Sequence, residues 1–354
     1  MMESDDLEGA LSAFLYSLDR DAANSSVLVD IGTVYARLGD TQSARSAFES
    51  AERLKPTPKS AYNLGRLSYQ EGKASEAMLN YQIALQRDET FLRASINLAA
   101  IQAGTNDPLS AISTLQAARR HHPQNGAVLV SLANAQFQAG DLDQAAALYE
   151  SSRSLPNALA DAEIGLGNVA LAQGDTVSAS SHYQAAITAS PDNPNPRVNL
   201  GTVLIQQGQF DKAVVEFEKA LALSPGDIAL YLNLAVLYYH TEQYPEALEY
   251  CRSILEQDAS YVEPQRLIAD IALAKSEHEI AVEAYGVVLQ QQPGDLASLL
   301  GMAEALSGLE QMEEAQEYWQ EWLDTVGDDP AYATQAEALV RRVGASDSGL
   351  RLSQ

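Results

Sequence analysis

Apolar residues recur along the chain in short helical patterns that come two at a time. The clearest example has its apolar and small residues at Leu200, Gly201, Leu204, Ala213, Phe217 and Ala220. Spacings of three and four residues place each half of this set on one face of a helix. A polar turn at Gly208 separates the halves, and Pro225 follows at a place where the second helix has to end. The pattern predicts two helices joined by a tight turn.

The same pattern occurs nine times in near-constant phase. The copies start at residues 25, 58, 92, 126, 160, 194, 228, 262 and 296, so the period is 34 residues after a first step of 33. Small residues such as Gly167 and Ala179 are expected to let the two helices approach closely, and rings such as Tyr183 to fill the space between neighbouring pairs. One pair cannot bury its apolar face alone, so the copies must stack. Residues 25–329 therefore predict an all-α solenoid rather than a single irregular helical bundle.

This arrangement resembles the tetratricopeptide repeat, which has Leu-Gly, Tyr, Ala, Phe and Pro at these offsets within 34 residues. The resemblance implies a right-handed superhelical α-α solenoid of tandem helix pairs, in which the first helix of each pair lines a concave groove. The early Trp that is usual in the family is absent, and Tyr231 is the one aromatic residue at that place. This difference leaves the period undisturbed.

Both ends of the chain depart from the repeat. Residues 7–24 look like the second helix of a repeat, with Ala10 and Phe14 in phase. We predict that residues 1–24 form either an N-terminal capping helix or the truncated half-repeat of a longer protein. Residues 330–343 predict an amphipathic C-terminal capping helix, and residues 344–354 predict a flexible tail.

Two turns depart from the usual Gly-Asp sequence. In the third copy, we predict that Asp107 caps a helix whose first residue is Pro108. In the eighth copy, Ser276 replaces the glycine, which predicts a looser turn.

The chain has 22 basic and 48 acidic residues, for a formal net charge of −26. Such a charge repels phosphate backbones and anionic lipid, so nucleic acid and membrane surfaces are not expected partners. No apolar run approaches the ~20 residues of a membrane span, so direct membrane insertion is not expected either. The acidic first residues do not resemble a secretory signal and favour a cytoplasmic protein, whereas a leader removed before residue 1 would make it periplasmic or exported.

A search for catalytic and metal-binding patterns gives a negative result. The five histidines have no metal-ligand spacing beyond the adjacent His121 and His122, which we place in a loop between repeats. The sequence has no zinc-protease, nucleophile-elbow or phosphate-binding glycine motif. The single Cys251 excludes an internal disulfide and a multi-cysteine zinc site, and its place in the pattern predicts a buried apolar role. We therefore predict no catalytic residue, no metal and no cofactor.

Asparagines recur on the predicted first helices, just before Leu-Gly or Leu-Ala, at Asn63, Asn97, Asn199 and Asn233. Each side chain in such a series offers a donor and an acceptor to the backbone of an extended peptide. The series resembles the asparagine ladder in the repeat region of O-linked N-acetylglucosamine transferases, although other residues interrupt it here. The alternative is that asparagine is common at this place in tetratricopeptide repeats generally.

Further candidates for the groove are Arg66 and three tyrosines. Tyr62, Tyr69 and Tyr239 each offer a large rigid face and a hydroxyl group for contact with a partner. Tyr62 and Tyr69 are seven residues apart and so share one helix face.

The family also contains a clamp for the C-terminal tails of chaperones. By this resemblance, Asn63 and Arg93 match two of its positions, but Asn97 stands where a second cation is needed. We therefore do not predict capture of a chaperone tail.

Acidic residues are concentrated toward the C-terminal end. No Lys or Arg occurs from Ser276 to Val340, and the glutamates there include Glu310, Glu313, Glu314, Glu317 and Glu321. They form either a solvated helix face or a docking surface for a basic partner.

The sequence thus predicts a non-catalytic scaffold or adaptor that holds extended or helical segments of protein partners in its concave groove. Two alternatives stay open. One is a substrate-recruiting arm of a larger enzyme, such as a glycosyltransferase. The other is an assembly protein of pilus, secretion or organelle machinery, for which self-association is expected.

Overall fold

The computed structural model describes residues 4–21, 23–327 and 329–344. Within these residues it contains twenty α-helices joined by short turns, and no strand. The chain divides into two compact units, Met1–Pro191 and Asp192–Gln354. The prediction of an all-α solenoid built from helix pairs is confirmed.

The described part of the first unit has eleven helices. They are α1 (Ser4–Arg20), α2 (Ser25–Leu38), α3 (Thr41–Leu54), α4 (Pro58–Gln70), α5 (Ala74–Arg87), α6 (Leu92–Gly104), α7 (Pro108–His121), α8 (Gly126–Gln138), α9 (Leu142–Ser152), α10 (Leu159–Ala172) and α11 (Thr176–Ala189).

The described part of the second unit has nine helices. They are α12 (Asn195–Gln206), α13 (Phe210–Leu223), α14 (Ile228–His240), α15 (Tyr244–Gln257), α16 (Val262–Ala274), α17 (His278–Gln291), α18 (Leu296–Gly308), α19 (Met312–Val326) and α20 (Ala333–Gly344). In both units, each even-numbered helix from α2 to α18 packs against the helix that follows it. We call these the first and second helices of a pair.

Two helices lie outside the pairs, α1 and α20. On α20, Ala336 and Leu339 are buried, as expected for an amphipathic helix. The division into nine repeats with a capping helix at each end stays a prediction. The predicted flexible tail lies outside the described residues, except that Gly344 ends α20.

One alanine from each second helix forms the centre of its pair. These alanines are fully buried and recur at the repeat period: Ala44, Ala77, Ala111, Ala145, Ala179, Ala213, Ala247, Ala281 and Ala315. A methyl group is the largest side chain that fits between two closely packed helix backbones, so the period of the sequence becomes the period of the core.

Aromatic rings of the second helices pack directly on glycines of the first helices. A Cβ atom built on Gly167 would lie 2.5 Å from Cε1 of Tyr183, which belongs to the same pair. The ring of Tyr149 lies instead beside Gly165 of the next pair, where an added Cβ would be 2.2 Å away. The prediction that the rings fill the space between pairs is therefore incomplete, because they also fill the space within a pair.

The turn inside each pair contains one residue with a left-handed backbone. In five pairs this residue is a glycine, namely Gly39, Gly72, Gly140, Gly174 or Gly208. In the other four pairs φ lies between 60° and 63° at Asn106, Glu242, Ser276 and Glu310. This conformation costs a residue with a Cβ atom about 1–2 kcal/mol. The prediction of a looser turn at Ser276 is therefore wrong. This turn keeps the same backbone shape, with a residue that is less favourable there than glycine.

Aspartates after several of these turns begin the second helices. Oδ1 of Asp107 accepts a hydrogen bond from the N–H of Ser110 at 3.1 Å, and Pro108 is the first residue of α7, as predicted. The same cap precedes three further helices of the first unit, at Asp40, Asp141 and Asp175. Second helices of the second unit follow residues that make no side-chain cap bond: Gln209, Gln243, Glu277 and Gln311.

Candidate functional site

A pocket of about 560 Å³ opens between α2, α4 and α6 of the first unit. The lining combines aromatic rings, an amide and five charged side chains. Its residues are Asp30, Thr33, Lys59, Tyr62, Asn63, Arg66, Asp88, Thr90, Phe91, Leu92 and Arg93. We call this cavity the Asn63 pocket. It brings together Tyr62, Asn63 and Arg66, three of the residues that the sequence predicts as groove residues.

Two guanidinium groups give the Asn63 pocket an available positive charge. Lys59 is already paired, since its Nζ lies 3.1 Å from Oδ1 of Asp30. The Oδ1 of Asp88 accepts hydrogen bonds from the backbone N–H and the hydroxyl of Thr90, which leave its negative charge in place. The three cations and two carboxylates of the lining therefore leave a net charge of +1. Arg66 and Arg93, by contrast, are exposed and have no ion pair or hydrogen bond within the part of the chain that the structure describes.

Asn63 lines this pocket and has a buried amide donor that is unused. The residue is 6% exposed, and its Nδ2 atom has no hydrogen-bond partner among the described residues. The same side chain lines a smaller adjoining cavity of about 260 Å³, together with Thr33, Arg66 and Gln70. A buried donor without a partner costs about 1–3 kcal/mol, so the free protein retains an unfavourable group at this position.

The Tyr62 ring forms a wall of the pocket rather than an exposed contact surface. Its centroid lies 5.2 Å from that of Phe91 and 5.7 Å from that of Tyr81, and the residue is buried. Nδ2 of Asn97 donates weakly to the hydroxyls of both Tyr62 and Tyr81, at 3.4 Å. Tyr62 is therefore buried in the wall of the pocket, and the Asn97 amide contacts two neighbouring hydroxyls. That Tyr62 and Asn97 bind a partner stays a prediction.

Tyr69 has a different environment from Tyr62 although the two share a helix face. It is 59% exposed at the other end of α4 and is therefore available for contact. Phe91 packs over Tyr62, and this contact explains the difference in burial between the two tyrosines.

The remaining groove candidates lie in the second unit. Asn199 on α12 is half-buried, Asn233 on α14 is exposed, and Tyr239 is half-buried at the end of α14. The Tyr239 ring packs against His240 and Tyr244, and burial raises the pKa of its hydroxyl. That these three residues bind a partner stays a prediction.

The predicted acidic surface is on α19 and the turn before it. Glu310 occupies that turn, and Glu313, Glu314, Glu317 and Glu321 are exposed along the helix. Three of them border a shallow surface depression with Gln316, Gln320, Asp324 and Thr325. That this surface binds a basic partner stays a prediction.

A second feature of the first unit, which the sequence analysis missed, is a cavity of about 180 Å³ between α6 and α8. Its lining combines alanine and aliphatic side chains with three polar ones, and its residues are Ile96, Ala99, Ala100, Ala103, Leu115, Ser131, Asn134, Ala135 and Gln138. Leu115 occupies the place that Tyr149 and Tyr183 occupy in the next two pairs. We call this cavity the Leu115 notch. The signal in the sequence was the missing ring at 115 together with the small side chain of Ala100.

A buried charge cluster joins α10 to its neighbours. Glu163 is 1% exposed, and its two carboxylate oxygens lie 2.7 Å from Arg153 and 2.7 Å from Nδ1 of His182. Both oxygens therefore have partners. Because these partners lie after α9 and on α11, the cluster holds the loop after α9 against α10 and α11. It has no free group to offer a ligand.

Three further side chains that could be reactive are Cys251, His121 and His122. Cys251 is fully buried, and burial raises the pKa of its thiol to about 12. His121 is the last residue of α7 rather than a loop residue, and Nε2 of His122 lies 2.8 Å from the carbonyl oxygen of Thr90.

No group of three or more His, Cys, Asp or Glu residues positioned for a metal occurs in the described ranges. None of the described helices is long and apolar enough to cross a membrane.

Sequence models of one repeat family match most of the chain. Both are described as tetratricopeptide repeat. One matches residues 2–57 and 29–90, and the other matches residues 102–155, 170–216 and 204–271.

Individual proteins match more distantly. The peroxisomal targeting signal receptor of Candida albicans (strain SC5314 / ATCC MYA-2876) is 31% identical over 86 residues, which are 24% of this chain and 14% of the receptor. The chain thus spans about one seventh of that receptor's length. A tetratricopeptide repeat protein from Parabacteroides merdae ATCC 43184 matches 70% of this chain and 98% of its own, at 15% identity and a TM-score of 0.47. The MamA protein matches 50% of this chain and 95% of its own, at 18% identity and a TM-score of 0.44.

Proposed function

The chain belongs to the tetratricopeptide repeat family, and from this premise we propose that it is a non-catalytic scaffold that binds a segment of a partner protein at the Asn63 pocket. Proteins of this family bind protein partners. The partner segment contacts the exposed side of α4 and α6, with the rings of Tyr62 and Phe91 beneath it.

The observation that carries this proposal is the unpaired Nδ2 of Asn63. Native proteins satisfy nearly all of their buried polar groups, and Asn63 lines this pocket, so we infer that a local rearrangement on binding brings an acceptor from outside the chain to this donor. A backbone carbonyl or a carboxylate of a peptide provides such an acceptor. Asn63 differs in this respect from Asn97, whose amide already has hydrogen-bond partners.

A non-catalytic role is supported by the chemistry around the pocket. The lining contains no histidine, cysteine or serine, and its two carboxylates are engaged by Lys59 and Thr90. The hydroxyl groups of the lining, Thr33 and Thr90, have no histidine among the lining residues to act as their base, so the lining has no triad-like arrangement.

A quantitative pull-down with the full chain tests the proposal. The bait carries Asn63→Leu together with Arg66→Gln, and the matched control carries Gln116→Leu together with Arg119→Gln, which change exposed residues of α7. We expect the pocket variant to lose a set of proteins, identified by mass spectrometry, that wild type and control both retain. Equal retention by all three baits, with unchanged thermal unfolding, would contradict binding at this pocket.

A further inference from the structure

We propose that a groove between α16 and α17 is a docking site for a basic amphipathic helix of a partner protein. The groove lies in the second unit and has a volume of about 270 Å³. Its lining residues are Gln265, Ile268, Ile280, Glu283, Ala284 and Val287. We call this cavity the Ile280 groove. Most of its lining belongs to a second helix, so it differs from the predicted groove of first helices, and the inference does not depend on the Asn63 pocket.

The Ile280 groove exists because one contact of the repeat is missing from the α16–α17 pair. In each of the three preceding pairs, two side chains nineteen residues apart bridge the first and second helices. The bridges are Glu163–His182 at 2.7 Å, Arg197–Glu216 at 3.0 Å, and the rings of Tyr231 and Tyr250 with centroids 5.9 Å apart. The equivalent residues of the α16–α17 pair are Gln265 and Ala284. The methyl group of Ala284 is too short to form such a bridge, so the space between the helices stays open.

The side chain of Gln265 is bonded elsewhere and does not fill this space. Its Nε2 donates to the carbonyl oxygen of Ala259 at 2.8 Å, and its Oε1 accepts from Gln291 at 3.2 Å. The groove therefore has no amide group ready to pair with the backbone of an extended peptide. A partner helix satisfies its own backbone groups, so a helix fits this lining better than a strand does.

An exposed aliphatic stripe on α17 provides the apolar part of the groove. Ile280, Ala284 and Val287 are separated by four and three residues, so they lie on one helix face. Ile280 is 51% exposed and Val287 is 38% exposed. Together with Ile268 of α16 they form a two-turn apolar surface beside a cavity. The apolar side chains of a partner helix can pack into such a surface as ridges into a groove.

The charge around the stripe determines which helix is favoured. Glu283 lines the groove, and Glu279 precedes it by one turn of α17. Both are exposed and have no ion pair or hydrogen bond among the described residues. No Lys or Arg occurs from Ser276 to Val340, and the two preceding basic residues, Lys275 and Arg266, are already in ion pairs. An acidic helix is therefore repelled here, whereas Lys or Arg beside an apolar face complements the two glutamates.

Fluorescence anisotropy with designed peptides tests this inference on the full chain. The probe is a fluorescein-labelled peptide of about 20 residues, which is long enough to form a helix on binding. It carries Leu at helical spacing along one face, with Lys and Ala elsewhere. One companion peptide has the same composition in a scrambled order without an apolar face. A second has Glu in place of each Lys, and a third has two central Ala residues replaced by Pro, which prevents a continuous helix.

We expect the probe to bind at least about tenfold more tightly than each companion, as for the burial of one further aliphatic side chain. Ile280→Ser together with Val287→Ser should weaken binding of the probe by about tenfold for the same reason. The matched control is Leu109→Ser together with Val177→Ser, which changes exposed aliphatic residues of α7 and α11 and should have little effect.

A charge-reversal variant tests the acidic part of the groove. Glu283→Lys should weaken binding of the probe, and the loss should be larger at low salt than at about 1 M salt, where exposed charges are screened. Glu321→Lys makes the same change in net charge on the exposed face of α19 and should have a smaller effect. Thermal unfolding of every variant should match that of the wild type, because the altered residues are exposed.

Three results would overturn the inference. Equal binding of the scrambled peptide, or equal losses from Glu283→Lys and Glu321→Lys, would indicate general attraction to an acidic protein. Equal binding of the peptide with Pro would show that the occupant is not a helix. Sedimentation of the wild type as a dimer, and of the Ile280 and Val287 variant as a monomer, would show instead that a second copy of this chain covers the groove.

Discussion

The hydroxyl of Tyr285 donates a hydrogen bond to Oδ1 of Asp270 at 2.5 Å, between the two helices of one pair. Tyr183 makes the same bond to Asn168, fifteen residues earlier, at 2.7 Å. Where the second helix has an apolar residue instead, the position fifteen residues earlier has no amide or carboxylate: Thr33 for Phe48, Thr202 for Phe217 and Val236 for Cys251. In these pairs the hydroxyl group and its acceptor therefore change together, which indicates that they act as a unit. Tyr81 is an exception, because Arg66 stands fifteen residues earlier and the Tyr81 hydroxyl contacts Asn97 of the next pair instead.

Replacing Asp270 by Asn is expected to stabilise the protein at neutral pH. Burial raises the pKa of the Asp270 carboxyl, more than the hydrogen bond from Tyr285 and the charge of Arg266 lower it. Because the folded pKa exceeds the unfolded one, the stability that this group contributes is present below its unfolded pKa and is lost as the pH rises through the folded value. Asn keeps the acceptor without the buried charge. Asp270→Asn should raise the free energy of unfolding in urea at pH 7 and change it little near pH 3.

The matched control for this change is Asn168→Asp, which introduces the charged acceptor into the equivalent place beside Tyr183. It should lower the free energy of unfolding at pH 7 and have a smaller effect in acid. A destabilised Asp270→Asn at neutral pH would show that the carboxylate is required in its charged form.

Much of the fold follows from the sequence because the signals are local and repeated. The period, the buried alanines and the cap at Asp107 each depend on residues within one helix pair. The left-handed turns were predictable where glycine marks them. At Glu242 and Glu310 the residue type conceals the turn, and only the register with the other copies indicates it.

The candidate site was less predictable because it depends on contacts between copies. Asn63 and Asn97 occupy equivalent positions in the repeat, yet Asn97 reaches the hydroxyls of Tyr62 and Tyr81 and Asn63 reaches no partner. This difference arises from the identity of neighbouring side chains on other helices. The period alone cannot supply that information, since it makes the two asparagines look alike.

Adding one methyl group at Gly167 should destabilise the protein strongly. The new Cβ would lie 2.5 Å from the Tyr183 ring, which is buried and cannot move away freely. Overpacking of this kind costs about 1–3 kcal/mol. Gly104→Ala is the control, because its Cβ would meet no atom within 4 Å at the end of α6, and a gain of up to ~1 kcal/mol is expected there. Urea unfolding of both variants would reveal the difference, and equal effects would contradict the close packing.

The turns with residues other than glycine offer a route to higher stability. Ser276→Gly should raise the free energy of unfolding by about 1 kcal/mol, because φ at this position is 61° and the Cβ atom makes that conformation unfavourable. Gly174→Ala, at φ 80°, should lower it by a similar amount. The pair of variants can be compared by thermal unfolding. Destabilisation by Ser276→Gly would indicate that the serine side chain contributes a contact that outweighs the backbone effect.

Cys251 provides a reporter of opening in the second unit. Its thiol is fully buried and has a pKa raised to about 12, whereas an exposed cysteine has a pKa of about 8.5. A thiol-specific reagent at pH 8 should therefore react only when the α14–α15 pair opens, and the rate should rise steeply with urea below the global transition. Rapid labelling of the native protein at a rate typical of free cysteine would contradict this burial.

The strongest test of the site uses stability rather than binding. If the unpaired amide of Asn63 exists to bind a partner, it is a cost to the free protein, and Asn63→Leu should raise the free energy of unfolding by about 1 kcal/mol while weakening partner binding. If Asn63 instead supports the fold, the same substitution should destabilise the protein. The exposed Asn233 has no such cost, so Asn233→Leu is expected to change stability by less than ~0.5 kcal/mol. Opposite effects of Asn63→Leu on stability and on partner capture would identify a group retained for recognition, because a purely structural residue would lower both together.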